Sequence, residues 1–175
     1  LKGNTLGIFG LGKQGKQVAQ FGKAFGMRVI AWSHNLKKDD CKKVGIEYVS
    51  SENLIKMSDI LTIHTRLSDR TIGYIDKNKL KYMKKDSVLI NTSRGPIIKE
   101  KDLIDALNNN IISFAALDVY DVEPLPRDHI LRRTKNLILT PHIGYVSEEA
   151  YEKFFGGYLK AIEAFINKNP INQIS

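Results

Sequence analysis

Thr5-Leu-Gly-Ile-Phe-Gly10-Leu-Gly12-Lys-Gln-Gly15 reads as a short buried strand, a glycine turn and the first turn of a helix. That is the context in which a G-x-G-x-x-G spacing carries meaning. Leu6, Ile8 and Phe9 supply the strand, and Lys16 to Phe25 the helix, with Val18, Phe21 and Phe25 at roughly helical spacing. Gly10 permits the tight turn. Gly12 lets the backbone approach a pyrophosphate, and Gly15 lets the helix lie close to the strand. Free amides at the helix start, reinforced by the helix dipole, would face the phosphates. Dinucleotide binding is the expectation from this stretch.

Bulk properties are compatible with that reading. The chain has 175 residues, 42% hydrophobic and 26% charged, which suits one soluble domain with a substantial core. No apolar run reaches membrane-spanning length and no signal peptide is visible, so no membrane partner is expected. The single cysteine, Cys41, excludes an internal disulfide and fits a reducing, cytoplasmic compartment; it reads as a bystander at a helix or loop edge. The formal charge of +8 raises nucleic acid as a partner. The basic residues are spread along the chain with no aromatic ladder, and they read as solvated surface, so nucleic-acid binding is not expected. No metal site is expected either. The chain begins at Leu1 rather than at a methionine and enters its first strand almost at once, which reads as part of a longer protein.

Further along, Met27 to Trp32 reads as a second buried strand. An acidic residue at the end of this strand would accept from the ribose hydroxyls of NAD. Here the sequence is Trp32-Ser33-His34-Asn35-Leu36-Lys37-Lys38, with no acid before Asp39. Ser33 followed by lysines accommodates the extra phosphate of NADP, so the cofactor is NAD or NADP with a lean to NADP. Strands then alternate with helices: Glu47 to Val49, Asp59 to His64, Ser87 to Asn91, Phe114 to Asp118 and Leu137 to Thr140 are strands. Helices are expected at Ser51 to Met57 with a serine at the start, at Asp76 to Met83 with an Asp cap, and at Lys99 to Asn108. A long final helix is capped by Ser147 and runs to about Asn167. His64 at a strand end reads as structural. The alternation predicts an α/β fold, a Rossmann-type doubly wound parallel sheet with helices on both faces, and ligands at the carboxyl ends of its strands.

The chemistry-bearing residues fall at those ends: Asn91-Thr-Ser-Arg94-Gly-Pro, Asp118-Val-Tyr-Asp-Val-Glu123-Pro and Thr140-Pro-His142-Ile-Gly144. With the glycine turn, these four motifs resemble the signatures of the D-isomer-specific 2-hydroxyacid dehydrogenases, a family that includes phosphoglycerate dehydrogenase and glyoxylate/hydroxypyruvate reductases. The resemblance covers nearly the whole chain. It implies an NAD(P)-dependent oxidoreductase moving hydride between a nicotinamide and a D-2-hydroxyacid/2-oxoacid pair.

It further implies that Arg94 binds the carboxylate and carbonyl oxygens of a 2-oxo acid. His142 would protonate the carbonyl oxygen in reduction, or act as base in oxidation, and Glu123 would hydrogen-bond that imidazole and favour its protonated form. Asp118 would hold the carboxamide. Gly10, Gly12, Lys13, Gln14 and Gly15 would line the pyrophosphate and Ser33 the ribose, while Thr92, Ser93, Arg94, His142 and Gly144 would line the nicotinamide side. The family departures are the missing acid after the second strand, Arg66 where many members have proline, and Tyr145 where a second glycine is common. Residues 1–175 would then be the dinucleotide-binding domain alone, without the family's substrate domain. On that expectation the chain binds dinucleotide but turns over slowly. Dimerisation of the full-length protein is left open. The same resemblance implies one alternative, a dinucleotide-sensing regulator of the corepressor type that binds rather than turns over.

Overall fold

The computed structural model describes residues 1–173. The described residues divide into two compact units, 1–142 and 143–173.

The first unit is built on one sheet. β1 (Thr5–Phe9), β2 (Arg28–Trp32), β3 (Glu47–Tyr48), β4 (Ile60–Ile63), β5 (Val88–Asn91), β6 (Phe114–Leu117) and β7 (Leu137–Leu139) pair in the order β3-β2-β1-β4-β5-β6-β7. Every pairing is parallel. The order reverses between β1 and β4, and a crevice opens beyond the carboxyl ends of strands at such a switch point.

Side-chain alternation along the strands feeds two separate cores. Leu6, Ile8, Val29 and Ala31 pack on one face with Ala19 of α1 (Lys13–Ala24) and Cys41 of α2 (Lys38–Val44). Phe9, Ile30, Leu61, Ile63, Leu89 and Leu117 pack on the other. That second face is covered by Leu54 and Ile55 of α3 (Ser51–Met57), Leu80 of α4 (Lys77–Tyr82), and Leu103 and Leu107 of α5 (Glu100–Asn108). Both faces of the sheet therefore carry helices, and the expected doubly wound α/β class is the one observed. Each such buried aliphatic side chain contributes about 1.5–3 kcal/mol. Asp59 ties the amino ends of β1 and β4 together, accepting from the Thr5 amide and from Lys84 Nζ, both at 2.7 Å.

The caps follow the sequence closely. Asp76 accepts from the Lys79 amide, and Gly45 ends α2 in the left-handed region at φ 65°. The cap of α3 is Ser50, which accepts from the Asn53 amide; Ser51 is instead hydrogen-bonded to the Tyr74 hydroxyl.

Two readings are corrected. The packed face of α1 is not Phe21 and Phe25, which are 63% and 60% exposed, but Gly15, Ala19 and Gly22. The helix lies so close to the sheet that a Cβ on Gly22 would come within 2.6 Å of Leu6 Cδ2, so only small residues fit that seam. Cys41 is not at an edge: it is wholly buried, and burial, then the neighbouring Asp40 charge, push its thiol pKa up.

The second unit consists of a turn at Gly144–Tyr145 and α6 (Glu148–Ile166), capped by Ser147 accepting from the Ala150 amide. Acidic Glu148 and Glu149 occupy its first turn, where the helix dipole favours them. Among the described residues no helix is long and apolar enough to cross a membrane.

Candidate active site

The glycine turn lies at the switch point. Gly10 has φ 105°, and a Cβ there would meet the His64 carbonyl carbon at 2.6 Å and the Thr65 amide nitrogen at 2.5 Å. Gly15 faces back onto the turn, where a Cβ would lie 2.1 Å from the Gly10 carbonyl oxygen. These two glycines are demanded by the fold itself. Gly12 is different: its φ is −76°, and a Cβ on it would touch nothing within 4 Å. It is the N-cap of α1 and makes no side-chain cap, so the amides of the first turn, where Lys13 and Gln14 stand exposed, receive no capping side chain. Open space over uncapped helix amides fits an anionic group such as a pyrophosphate.

His64 sits on this turn. Its Nε2 is 3.0 Å from Thr62 Oγ1, and burial lowers its pKa, which keeps the ring neutral near pH 7 and suits a structural residue. At the end of β2, Ser33 is half-buried and His34 and Asn35 are exposed. Trp32 stacks on Phe9 and Tyr74 with centroids 5.5 Å apart in each case.

Beyond β5, the wholly buried Asn91 shapes the Arg94 loop. Its Nδ2 donates to the Arg94 carbonyl at 2.9 Å, and its Oδ1 accepts from the Ser93 amide at 3.0 Å. Ser93 Oγ donates to the Thr65 carbonyl at 2.5 Å, joining this loop to the one after β4. Thr92 and Arg94 are exposed, and Arg94 Nη1 donates to the Ser93 carbonyl at 2.6 Å. A 3-10 turn, Gly95–Ile97, follows. A Cβ on Gly95 would come within 2.1 Å of the Tyr120 carbonyl carbon, so the segment after Arg94 lies directly on the loop after β6.

That second loop and the end of β7 form one network. Asp118 is 6% exposed and accepts from Thr140 Oγ1 at 2.5 Å. The Tyr120 hydroxyl donates to the Thr140 carbonyl at 2.7 Å and lies 3.2 Å from that of Leu117, while its amide donates to Glu123 Oε1 at 2.9 Å. Glu123 Oε2 lies 2.5 Å from His142 Nδ1. Burial pushes the Glu123 pKa up, but the hydrogen bonds from His142 and the Tyr120 amide and the charges of His142 and Arg94 outweigh it, so the net shift is downward. Glu123 is therefore ionised at neutral pH and can only accept, which puts a proton on His142 Nδ1. His142 itself adopts φ 56°, a left-handed conformation that histidine tolerates better than most residues.

Glu123 and His142 thus meet directly, Asp118 is joined to them through Thr140 and Tyr120, and the Arg94 charge reaches Glu123. Gly144 belongs to the second unit, in the turn before α6. Sequence reasoning passed over Asn91 and Tyr120 as positioning residues. A polar residue closing a buried strand was the available signal for Asn91; nothing local marks Tyr120, whose partners are 3 and 20 residues away.

Comparison with known proteins shows the family. Residues 1–144 match the family model described as D-isomer specific 2-hydroxyacid dehydrogenase, NAD binding domain. A glyoxylate reductase of Aeropyrum pernix is 46% identical over 149 residues, 85% of this chain and 44% of the relative. A phosphoglycerate oxidoreductase of Vibrio cholerae superposes with a TM-score of 0.89 at 35% identity, covering 95% of this chain and 54% of that one. A D-lactate dehydrogenase of Aquifex aeolicus, solved with NAD and lactic acid, gives a TM-score of 0.83 at 29% identity over 98% of this chain and 58% of that one. The chain spans about half the length of the curated relatives it matches. With this fold, this switch-point turn and these matches, the chain belongs to the D-isomer-specific 2-hydroxyacid dehydrogenase family and carries its NAD-binding domain.

Proposed function

We propose that this chain is the cofactor-binding, proton-donating part of an NAD(P)-dependent D-2-hydroxyacid dehydrogenase working as a 2-oxoacid reductase. The observation that carries the reading is Gly12, a glycine with ordinary φ and open space around it that the fold does not require. A pyrophosphate seated over the α1 amides needs that space.

On this reading Gly10, Gly12, Lys13, Gln14 and Gly15 cradle the pyrophosphate, and Ser33 meets the adenosine ribose. Asp118, Thr92 and Ser93 line the nicotinamide side. When bound, the nicotinamide supplies the hydride. Arg94 pairs with the 2-oxoacid carboxylate through its planar donor fork. His142 gives a proton to the carbonyl oxygen, and the ionised Glu123 holds the ring by Nδ1. The relatives above are reductases and dehydrogenases, which favours turnover over the corepressor-type alternative.

Residues 1–175 act on this proposal as a dinucleotide-binding domain whose substrate-binding half lies elsewhere. On this reading the location is cytoplasmic, in keeping with the single, buried thiol, and nucleic acid is not a partner, in keeping with the dispersed basic residues. Calorimetric titration of the chain with NADH and NADPH tests the proposal. Saturable binding of at least one, weakened by Gly12→Val, is expected; binding of neither overturns it.

A further inference from the structure

The end of β2 offers more than a missing acid. The loop after β4 brings Arg70 to it: Arg70 Nη1 donates to Asn35 Oδ1 across 3.4 Å. The guanidinium is otherwise exposed, and among the described residues no carboxylate pairs with it, the adjacent Asp69 included. Its charge reaches the next residue of β2's tail as well. Burial, then Arg70, lowers the pKa of His34. The nearest acids after β2, Asp39 and Asp40, are each paired with a lysine of α2, Lys42 and Lys43, at 3.5 Å.

Arg70 stands on a fixed base. Thr71, 3% exposed, donates to the Arg66 carbonyl at 2.8 Å and accepts from the Ser68 amide at 2.8 Å. Gly73 donates to the Pro96 carbonyl at 2.7 Å, and Ile75 pairs with Ile98. Tyr74 then closes the loop onto Trp32, and His34 packs against both rings, 4.9 Å from Trp32 and 5.4 Å from Tyr74 between centroids. The turn that carries Arg70 and the strand end that carries Ser33 and Asn35 are therefore held as one surface. In a Rossmann sheet this is where the adenosine ribose lies, and a carboxylate there favours the bare 2′-hydroxyl whereas an arginine favours a 2′-phosphate.

Resting on the cofactor reading above, we propose that Arg70, with Ser33 and Asn35, forms a 2′-phosphate site and makes NADP(H) the preferred dinucleotide. Arg70 supplies a guanidinium fork from a loop distant in sequence, and no carboxylate of the β2 tail opposes it.

The test is calorimetric titration of the full chain and of Arg70→Ala, Arg70→Lys and Arg70→Glu with NADPH and NADH. 2′,5′-ADP and ADP serve as smaller probes of the same end. The chain is expected to bind NADPH about tenfold more tightly than NADH, ~1.4 kcal/mol. Arg70→Ala removes that margin and leaves NADH within about twofold, Arg70→Lys keeps part of it, and Arg70→Glu reverses it. The margin shrinks with added salt, as a charge contact requires. A chain that binds NADH as well as or better than NADPH, or a margin untouched by Arg70→Ala, overturns the phosphate site while leaving dinucleotide binding intact. Binding of no dinucleotide overturns both. Circular dichroism of the exposed-site variants confirms that they fold.

Discussion

Glu123 and His142 are 19 residues apart in the chain, yet their side chains meet at 2.5 Å, carboxylate to Nδ1. The contact needs three separate devices. The Tyr120 amide fixes the carboxylate, the Tyr120 hydroxyl pins the end of β7, and the left-handed backbone of His142 turns its ring inward. Orientation of the ring is thus set by backbone and carboxylate together, as the general-acid role proposed for it requires.

The φ of His142 dictates the informative substitution. Asparagine tolerates φ 56° and lacks the imidazole. In a protein joining this chain to the other half of its relatives' length, His142→Asn is expected to lower 2-oxoacid reduction by about 10²–10⁴-fold. Dinucleotide affinity should stay within about twofold, because His142 is not among the residues proposed to contact the phosphates. A loss of cofactor binding equal to the loss of rate would remove His142 from the proton-transfer role.

Two glycines of the same turn are expected to fail in opposite ways. Gly15→Ala places a methyl 2.1 Å from a backbone oxygen and should cost about 2 kcal/mol or more of stability, read as a fall in the urea midpoint. Gly12→Val has room and should leave the midpoint nearly unchanged while weakening dinucleotide binding at least tenfold. Equal destabilisation by both would mean that Gly12 serves the fold.

Acid sensitivity has identifiable sources. Burial raises the Asp59 pKa, but its bonds to Lys84 and the Thr5 amide outweigh that, so in the folded chain it titrates below its usual range; Glu123 does likewise. A carboxyl depressed by folding adds stability above its unfolded pKa, about 3.9 for Asp and 4.3 for Glu. That stability is lost as pH falls through the lower folded value. Glu100 and Asp121 shift the other way through burial and oppose this limb. Asp59→Asn should therefore lower Tm at pH 7 by about 2–4 °C, for a partly exposed pair worth ~1 kcal/mol, and should have a smaller effect near pH 3. An effect independent of pH would show that the charge of Asp59 is not what binds β1 to β4.

The chain by itself should oxidise NADPH or NADH only very slowly with glyoxylate or hydroxypyruvate. Arg94 is exposed, and Glu123 and His142 are each about a third exposed, so nothing in the first unit excludes water from them. Closure over such a site is what strengthens its electrostatics. Steady-state rates typical of complete enzymes, of order 10 s⁻¹, would show that these residues suffice unaided.

The sequence made the sheet legible because parallel strands covered on both faces are short continuous apolar runs, such as Val88 to Ile90 and Phe114 to Leu117. It made the candidate site legible because the residues proposed to act stand directly after those runs. Periodicity misled on α1, where close approach to the sheet selected Gly15, Ala19 and Gly22 and left the phenylalanines outside. Arg70 was passed over for a different reason. Its meeting with Asn35 spans 35 residues and depends on how the loop after β4 folds over Tyr74. Long-range side-chain meetings of that kind have no local signature.

β7 is only three residues long, lies at the edge of the sheet and leaves Ile138 54% exposed. Its pairing with β6 delivers Thr140 and, two residues on, His142. An edge this short opens more readily than the strands inside the sheet. The Glu123–His142 contact proposed as the acid–base pair therefore exists only while this edge is zipped, whereas the glycine turn depends on β1 and β4 in the interior. Hydrogen exchange at the Thr140 amide, which donates to the Leu117 carbonyl at 3.0 Å, should be faster than at the Gly10 amide, which donates to the Trp32 carbonyl at 3.0 Å. Fraying of that margin would, on the proposed roles, silence proton transfer in a molecule whose glycine turn is still whole.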